Sequence, residues 1–193
     1  MCGRYLFTAG QIEEIRNIAE AIDKKYTAGS WKQGEIFPST KAPVLVDKSG
    51  NIQPELLTWG YQMSKSLVIN ARAETAAEKP MFRESVAVGR CVIPSAGFYE
   101  WDKQKRKYLF NLSEGGALYM AGLYSIRYGK PSYVILTTDA NESMREVHHR
   151  MPLVLQKDLV TPWLTEPEAT MDILHATPPM LKRVTADAQL QLW

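Results

Sequence analysis

What most constrains this chain is the spacing of its apolar runs. Eight short segments follow one another: PVLVD (43–47), ELLTWGY (55–61), SLVINA (66–71), RCVIPSAGFYEW (90–101), KYLFNL (107–112), ALYMAGLYSI (117–126), SYVILTTD (132–139) and MPLVLQ (151–156). β-Branched and aromatic residues fill them, the pattern expected of strands. Turn formers stand between them, notably Lys48-Ser49-Gly50-Asn51, Gly115-Gly116 and Gly129-Lys130-Pro131. Connections that short join antiparallel neighbours, because a parallel return needs a crossover of a dozen or so residues. The strands come in a run and do not alternate with helices. That excludes a doubly wound fold and predicts an α+β protein whose core is a mostly antiparallel, barrel-like sheet with short flanking helices.

The helical signals are few. TAGQIEEIRNIAEAIDKKY (8–26) places Ile12, Ile15, Ala19 and Ile22 on one face. Thr8 and Gln11 form a capping box before it, and Lys24 and Lys25 suit its C-terminal dipole. Residues 27–40 read as a loop. ETAAEKPMF (74–82), with Thr75 and Glu78 as a second capping box, predicts one or two helical turns. ANESMREVHHR (140–150) predicts a helix starting near Asn141, Thr161-Pro162 opens a turn, and EPEATMDILHA (166–176) predicts a short helix. With 193 residues and no repeat or long linker, the chain is expected to form a single domain over 1–193.

Charge and composition exclude several classes. A net charge of +2 is too weak to hold nucleic acid by charge alone. Lys103, Lys105, Arg106 and Lys107, beside Asp102, read as a solvated hairpin tip. No run approaches the roughly 20 apolar residues of a membrane span, and the start lacks the apolar stretch of a secretory signal, so a cytoplasmic location is expected. Two cysteines, Cys2 and Cys91, make no disulfide framework and suit a reducing compartment. His148, His149 and His175 lack zinc-type spacing with them, so neither a metal nor a cofactor is expected.

Four stretches carry chemistry. The first is MCGRY (1–5). Methionine aminopeptidases act before a small second residue, so Met1 is expected to be removed. Cys2 would then hold an α-amine beside its thiol. Such an aminothiol condenses with an aldehyde to an imine, and the sulfur closes on the same carbon to give a thiazolidine. The plain alternative is a small buried residue, since free cysteine packs well. The second is INARAET (69–75). On a strand, Asn70, Arg72 and Glu74 share one face, and three polar groups there call for a cleft or the surface. In AGFYEWD (96–102), Glu100 stands among aromatics, where a carboxyl can have a raised pKa and exchange protons near neutrality. An edge glutamate facing water is the alternative. In EVHHRMP (146–152), His148 either transfers protons or favourably ends a helix.

Taken together, MCGRY, WGY, INARAET, MF, GFYEW and HHRMPLVL resemble the SRAP family, the SOS response-associated peptidase-like proteins, in order and rough spacing from residue 1 to about 156. The resemblance implies a DNA-damage protein that binds single-stranded DNA and bonds covalently to abasic sites, without metal or membrane and as a monomer. Its electrophile would be the aldehyde of ring-opened abasic deoxyribose. Carried over by motif, Cys2 would be the nucleophile. Asn70 would orient the terminal amine or the sugar. Glu100 would assist ring opening and proton transfer, and His148 would be the acid/base partner that lets the crosslink reverse. Arg4 and Arg72 would clamp phosphates. Pro38, Trp101 and Thr137 would line the DNA groove. The loop QMSKS (62–66) lacks the tryptophans common in the family and offers only Met63 as a wedge. Lyase activity by β-elimination and an autopeptidase activity are further implications. The rival reading is an N-terminal-nucleophile cysteine hydrolase, a peptidase or glutamine amidohydrolase, since one class of amidotransferases also begins Met-Cys-Gly. A non-covalent single-strand binder is a second rival.

Overall fold

The computed structural model describes residues 2–10, 12–127 and 129–185. In chain order the elements are β1 (Tyr5–Phe7), α1 (Glu13–Lys25), β2 (Gly34–Ile36), β3 (Lys41–Lys48), β4 (Asn51–Trp59), β5 (Tyr61–Gln62), β6 (Leu67–Val68), β7 (Asn70–Arg72), α2 (Ala73–Ala76) and α3 (Arg83–Val88). There follow β8 (Arg90–Ser95), β9 (Gly97–Trp101), β10 (Lys107–Leu112), β11 (Leu118–Arg127), β12 (Lys130–Asp139), β13 (Arg150–Pro152), β14 (Val154–Leu155), α4 (Val160–Thr165), α5 (Thr170–Leu174) and β15 (Leu181–Thr185).

Five strands close on themselves. β12 pairs with β4, β4 with β3, β3 with β8, β8 with β11, and β11 returns to β12. Closure removes the open edges that would otherwise invite aggregation. Only the β12–β4 pairing in this ring is parallel. Val44, Trp59, Ile93, Met120, Leu123 and Tyr133 are among the buried core. β12 is the hub: β7 joins it in parallel at Ile135–Thr137, and β13 joins it antiparallel at Thr137–Asp139. The predicted α+β, mostly antiparallel barrel is therefore the observed architecture.

A second sheet runs β15-β10-β9-β1-β2. The apolar run 90–101 reads as one strand, but the chain bends at Ala96 and divides it. β8 stays in the barrel and β9 enters the second sheet. Gly97 makes the bend, with φ of +155°, and a Cβ there would stand 2.6 Å from the Phe110 carbonyl oxygen. The bend carries Glu100 and Trp101 past the barrel to the strand that leads out of Cys2.

Several local expectations are corrected. Gln11, and with it the Thr8–Gln11 box, lies outside the described residues; α1 starts at Glu13 without a side-chain cap. Thr75 sits inside α2 and cannot cap it. The segment 140–150 is not a helix: turns occupy 142–147, and Arg150 opens β13. There the Asn141 side chain accepts from Ser143 and donates to the Pro178 and Pro179 carbonyls at 3.0 Å, so it serves a tertiary tie. The loop 27–40 contains β2, which pairs antiparallel with β1, Ile36 opposite Tyr5, while Glu35 meets Lys107 at 2.6 Å. β15 carries too little apolar pattern to be read in advance. The basic cluster at 103–107 is the expected hairpin tip. Asp102 Oδ1 accepts the Gln104 and Arg106 N–H groups at 2.9 Å, and Asp102 Oδ2 pairs with Arg106 Nε at 2.6 Å.

Candidate active site

Strand pairing brings Cys2 to Glu100. β1 runs antiparallel to β9 with Tyr5 opposite Phe98, and the Tyr99 N–H donates to the Arg4 carbonyl at 2.9 Å. Continued outward, that register leads Gly3 and Cys2 toward Glu100 and Trp101. Cys2 is fully buried, and its thiol donates to the Arg4 carbonyl at 3.7 Å. Asn70, the first residue of β7, reaches it from the barrel: Asn70 Nδ2 donates to the Cys2 carbonyl at 2.9 Å. Asn70 Oδ1 is buried and has no partner among the described residues. A buried acceptor left open beside a chain end is suited to an incoming N–H donor.

Electrostatics joins the remaining members. Burial, then the negative charge of Glu100, pushes the Cys2 thiol up to about 12. The same carboxylate acts on His148, opposing the burial that holds this imidazole below its ordinary value. Glu100 is itself buried. The fold therefore brings Cys2, Asn70, Glu100 and His148 close together. The Arg150 backbone N–H donates to His148 Nδ1 at 2.9 Å. The Arg150 carbonyl lies 3.1 Å from the same nitrogen, so the Arg150 backbone holds the ring on this side. His149 stacks on His148 with ring centroids 4.5 Å apart. A cavity of about 460 Å³ lined by Trp101, Lys103, Arg145, His148 and His149 opens beside them.

Sequence reading missed the frame behind these groups. Glu74 does not share a strand face with Asn70 and Arg72, because β7 ends at Arg72 and Glu74 lies in α2. It takes the buried Arg150 guanidinium in a two-pronged pair, at 2.7 Å and 2.8 Å. Arg150 also binds Asp139 at 2.7 Å and the Thr137 carbonyl at 2.6 Å. The signal was present as the arginine of HHRMP and the glutamate of INARAET, but nothing in either stretch says that they meet.

The residues expected to touch DNA fall into three settings. Arg4 lies between two aromatic rings, 4.2 Å from the Phe37 centroid and 5.2 Å from that of Trp101, and pairs with Glu35 at 3.2 Å. Lys107 shares Glu35 at 2.6 Å and lies 3.8 Å from the Tyr99 ring. Pro38 is half-buried beside the exposed Phe37, which the sequence did not single out. The Arg72 side chain is exposed and makes no hydrogen bond or ion pair among the described residues. Met63 is half-buried in the β5–β6 hairpin, where its N–H donates to the Ser66 carbonyl at 2.9 Å. Thr137, expected along the groove, is buried, and its hydroxyl donates to the Ala71 carbonyl at 3.4 Å. Among the described residues, no group of three or more His, Cys, Asp or Glu is placed to hold a metal ion, and no helix is long and apolar enough to cross a membrane.

Fold and site thus define a closed-barrel protein with a thiol, an amide, a carboxyl and an imidazole gathered at the entry of its first strand. The chain belongs to the SRAP family, described as SOS response associated peptidase, whose model matches residues 1–190. It is 32% identical over 194 residues to the abasic site processing protein YoaM of Bacillus subtilis (strain 168), covering 91% of this chain and 84% of that one. It is 26% identical over 178 residues to the abasic site processing protein YedK of Escherichia coli (strain K12), covering 86% and 80%. A crystal structure of a protein from Bordetella bronchiseptica shares the fold, with a TM-score of 0.75 at 24% identity over 96% of this chain and 99% of that one.

Proposed function

We propose that this protein processes abasic sites in single-stranded DNA by bonding to them through Cys2. The observation that carries the reading is the grip of Asn70 on the Cys2 carbonyl at 2.9 Å, within the field of Glu100. Relatives named abasic site processing proteins support the substrate. Removal of Met1, which lies outside the described residues, frees the Cys2 α-amine. The amine adds to the C1′ aldehyde of the ring-opened sugar, and loss of one water leaves an imine. The sulfur then bonds to C1′. The C=N electron pair moves to nitrogen, which takes the proton that sulfur gives up, and a five-membered thiazolidine results.

The side chains divide the proton work. Asn70 Oδ1 accepts from the amine and fixes its direction. Glu100 takes and returns protons during ring opening and dehydration. His148 gives a proton as the imidazolium and takes it back when the crosslink reverses. The imine also acidifies C2′, so that loss of that proton expels the 3′ phosphate, a minor lyase reaction. Arg4, Phe37 and Trp101 offer a charged and aromatic surface on which bases of a single strand stack, with Pro38 beside it. Arg72, free of protein partners among the described residues, takes a phosphate, and Met63 makes a modest wedge. The protein acts as a monomer, at the DNA.

A hydrolase reading needs the thiolate, which burial and then the Glu100 charge disfavour. Amine-first chemistry has no such need. Intact mass with an abasic oligonucleotide tests the proposal. The expected species is the chain without Met1 plus the oligonucleotide minus one water, stable to heat. Cys2→Ala keeps an amine but not the sulfur, so it gives only a reducible imine. No adduct with the processed protein, or a heat-stable adduct with Cys2→Ala, overturns the proposal.

A further inference from the structure

We propose that Arg127 and Lys130 form a site for one phosphate group on the barrel wall, and that a DNA strand passing Pro38 supplies that group. The DNA source rests on the proposed function, whereas the phosphate site does not. Strand register builds the site. Arg127 ends β11, Lys130 begins β12, and the two stand directly opposite in the antiparallel ladder. Ser132 lies two residues beyond Lys130 on the same face of β12, and Thr58 of β4 is its ladder partner. Their neighbours Tyr133 and Trp59 are fully buried in the core, so Ser132 and Thr58 face away from it. Two cations and two hydroxyls therefore share the outer face. The β5–β6 hairpin folds over this face. Gly60 leads into it, and a Cβ there would stand 2.7 Å from the Leu67 side chain. Hairpin and sheet leave a cavity of about 270 Å³, to which Arg127, Lys130, Ser132, Thr58, Ser39 and Gln62 contribute.

Three observations point to an anion there. Like charges directly opposite one another destabilise a sheet. Arg127 and Lys130 stand so, with no ion pair among the described residues, and no carboxylate lines the cavity. Next, the guanidinium is fixed in advance: its Nη2 donates to the Met81 carbonyl at 2.8 Å, and it lies 4.7 Å from the Tyr61 ring centroid. Its Nε is nevertheless buried with no partner among the described residues. Lastly, Ser132 is only 6% exposed, yet its hydroxyl, like those of Ser39 and Thr58, makes no hydrogen bond among the described residues. A phosphate group supplies both missing things, negative charge and several acceptor oxygens for a guanidinium, an ammonium and hydroxyls to share. The source follows from the neighbours. Ser39 continues from Pro38, and Gln62 precedes Met63, so the cavity borders the surface proposed to carry the strand. Ser132 is three residues along β12 from Ile135, the partner of Asn70, a span of about 10 Å.

Two measurements test this. In the first, inorganic phosphate is titrated into the protein, with chloride at equal ionic strength as reference, and the 15N–1H resonances of the Arg127 Nε–H and the Ser132 amide are followed. Both are expected to shift and saturate with phosphate but not with chloride, and Lys130→Gln should weaken the phosphate affinity about tenfold. In the second, fluorescence anisotropy follows binding of an undamaged single-stranded oligonucleotide over a salt series. The double variant Arg127→Gln, Lys130→Gln is expected to lower the slope of log K against log salt by about 0.7, the value for one phosphate, and not by twice that. Should the double variant not fold, because the guanidinium also holds Met81, Lys130→Gln alone is read in the same way, since that side chain is exposed. Resonances that phosphate leaves in place, or that chloride moves equally, overturn the site. Saturable phosphate binding with an unchanged salt slope keeps the site and overturns DNA as its source. A wild-type protein that binds this oligonucleotide yet forms no adduct with an abasic one overturns the proposed function and leaves both measurements standing.

Discussion

The two cysteines are the same side chain at the same burial, and they sit in different chemical worlds. Cys2 and Cys91 are both wholly enclosed, and burial pushes both thiols upward. Cys91 lies in β8, and its carbonyl accepts the Trp163 indole N–H at 2.9 Å. A Cβ on Gly122, in the facing strand, would come within 3.1 Å of its sulfur. Burial is the one cause of the Cys91 shift, while at Cys2 a carboxylate adds to it. Burial and a raised thiol pKa therefore do not mark a reactive cysteine. What separates the two is the polar company: an asparagine on the carbonyl, a glutamate in range, and an imidazole that feels the same glutamate.

The sharpest way to break this comparison is to exchange the losses. Cys2→Ala is expected to abolish the heat-stable adduct and, because its sulfur is as fully buried as that of Cys91, to cost stability as well. Cys91→Ala is expected to cost stability alone. It opens a small hole in a packed sheet and lowers stability by about 1–2 kcal/mol, with the adduct rate intact. Denaturant melts and intact-mass time courses read both. An adduct rate that collapses in folded Cys91→Ala would erase the distinction.

A smaller effect is expected one step away from the sulfur. Asn70→Ala removes a single hydrogen bond of 2.9 Å to the Cys2 carbonyl. A net bond of about 1 kcal/mol corresponds to a rate loss of roughly fivefold, and more where the open Oδ1 also guides the amine. Asn70→Asp keeps the acceptor and loses the donor, so comparing the two separates the carbonyl pin from the guidance of the amine. Equal rates in wild type and both variants would remove Asn70 from the site.

How much of this was legible in the sequence follows from range. The strands and the hairpin tip were readable because alternation and turn chemistry are local. Cys2, Asn70, Glu100 and His148 could be named as candidates because each stands in a short distinctive motif. The division of 90–101 was not, because apolar residues continue through the bend and only the Phe110 carbonyl, packed against Gly97, forces it. The segment 140–150 has helical composition, yet Asn141 is drawn to carbonyls of Pro178 and Pro179. The partner of Glu74 was equally hidden, because a salt bridge between positions 74 and 150 leaves no periodicity. Local chemistry was visible, and tertiary partners were not.

The smallest effect extends the comparison from thiols to carboxylates. Glu55 and Glu74 are both held at about 2, against an ordinary 4.5, and in each, ion pairs and hydrogen bonds overcome the burial that alone would raise it. Glu74 faces the arginine of the site, whereas Glu55 binds Lys25 at 2.6 Å, Lys48 and the Tyr26 hydroxyl, joining α1 to β3 and β4. If polar company near Cys2 is what makes function, Glu55→Gln must cost stability alone. A carboxylate whose folded value is depressed stabilises fully above its unfolded value and loses that contribution as pH falls through the folded one. Wild type therefore exceeds Glu55→Gln by about 1–3 kcal/mol at neutral pH, the gap narrows below pH about 4.5, and the two melts converge near pH 2. Glutamine has no proton to gain across that range, so the narrowing belongs to the wild-type carboxylate. Urea melts from pH 7 to pH 2 read the gap, and adduct rates at pH 7 should match within about twofold. A gap that stays constant across that pH range removes the Glu55 ion pairs as its cause, and an adduct rate that falls with Glu55→Gln would mean that the two sides of the barrel are not separate.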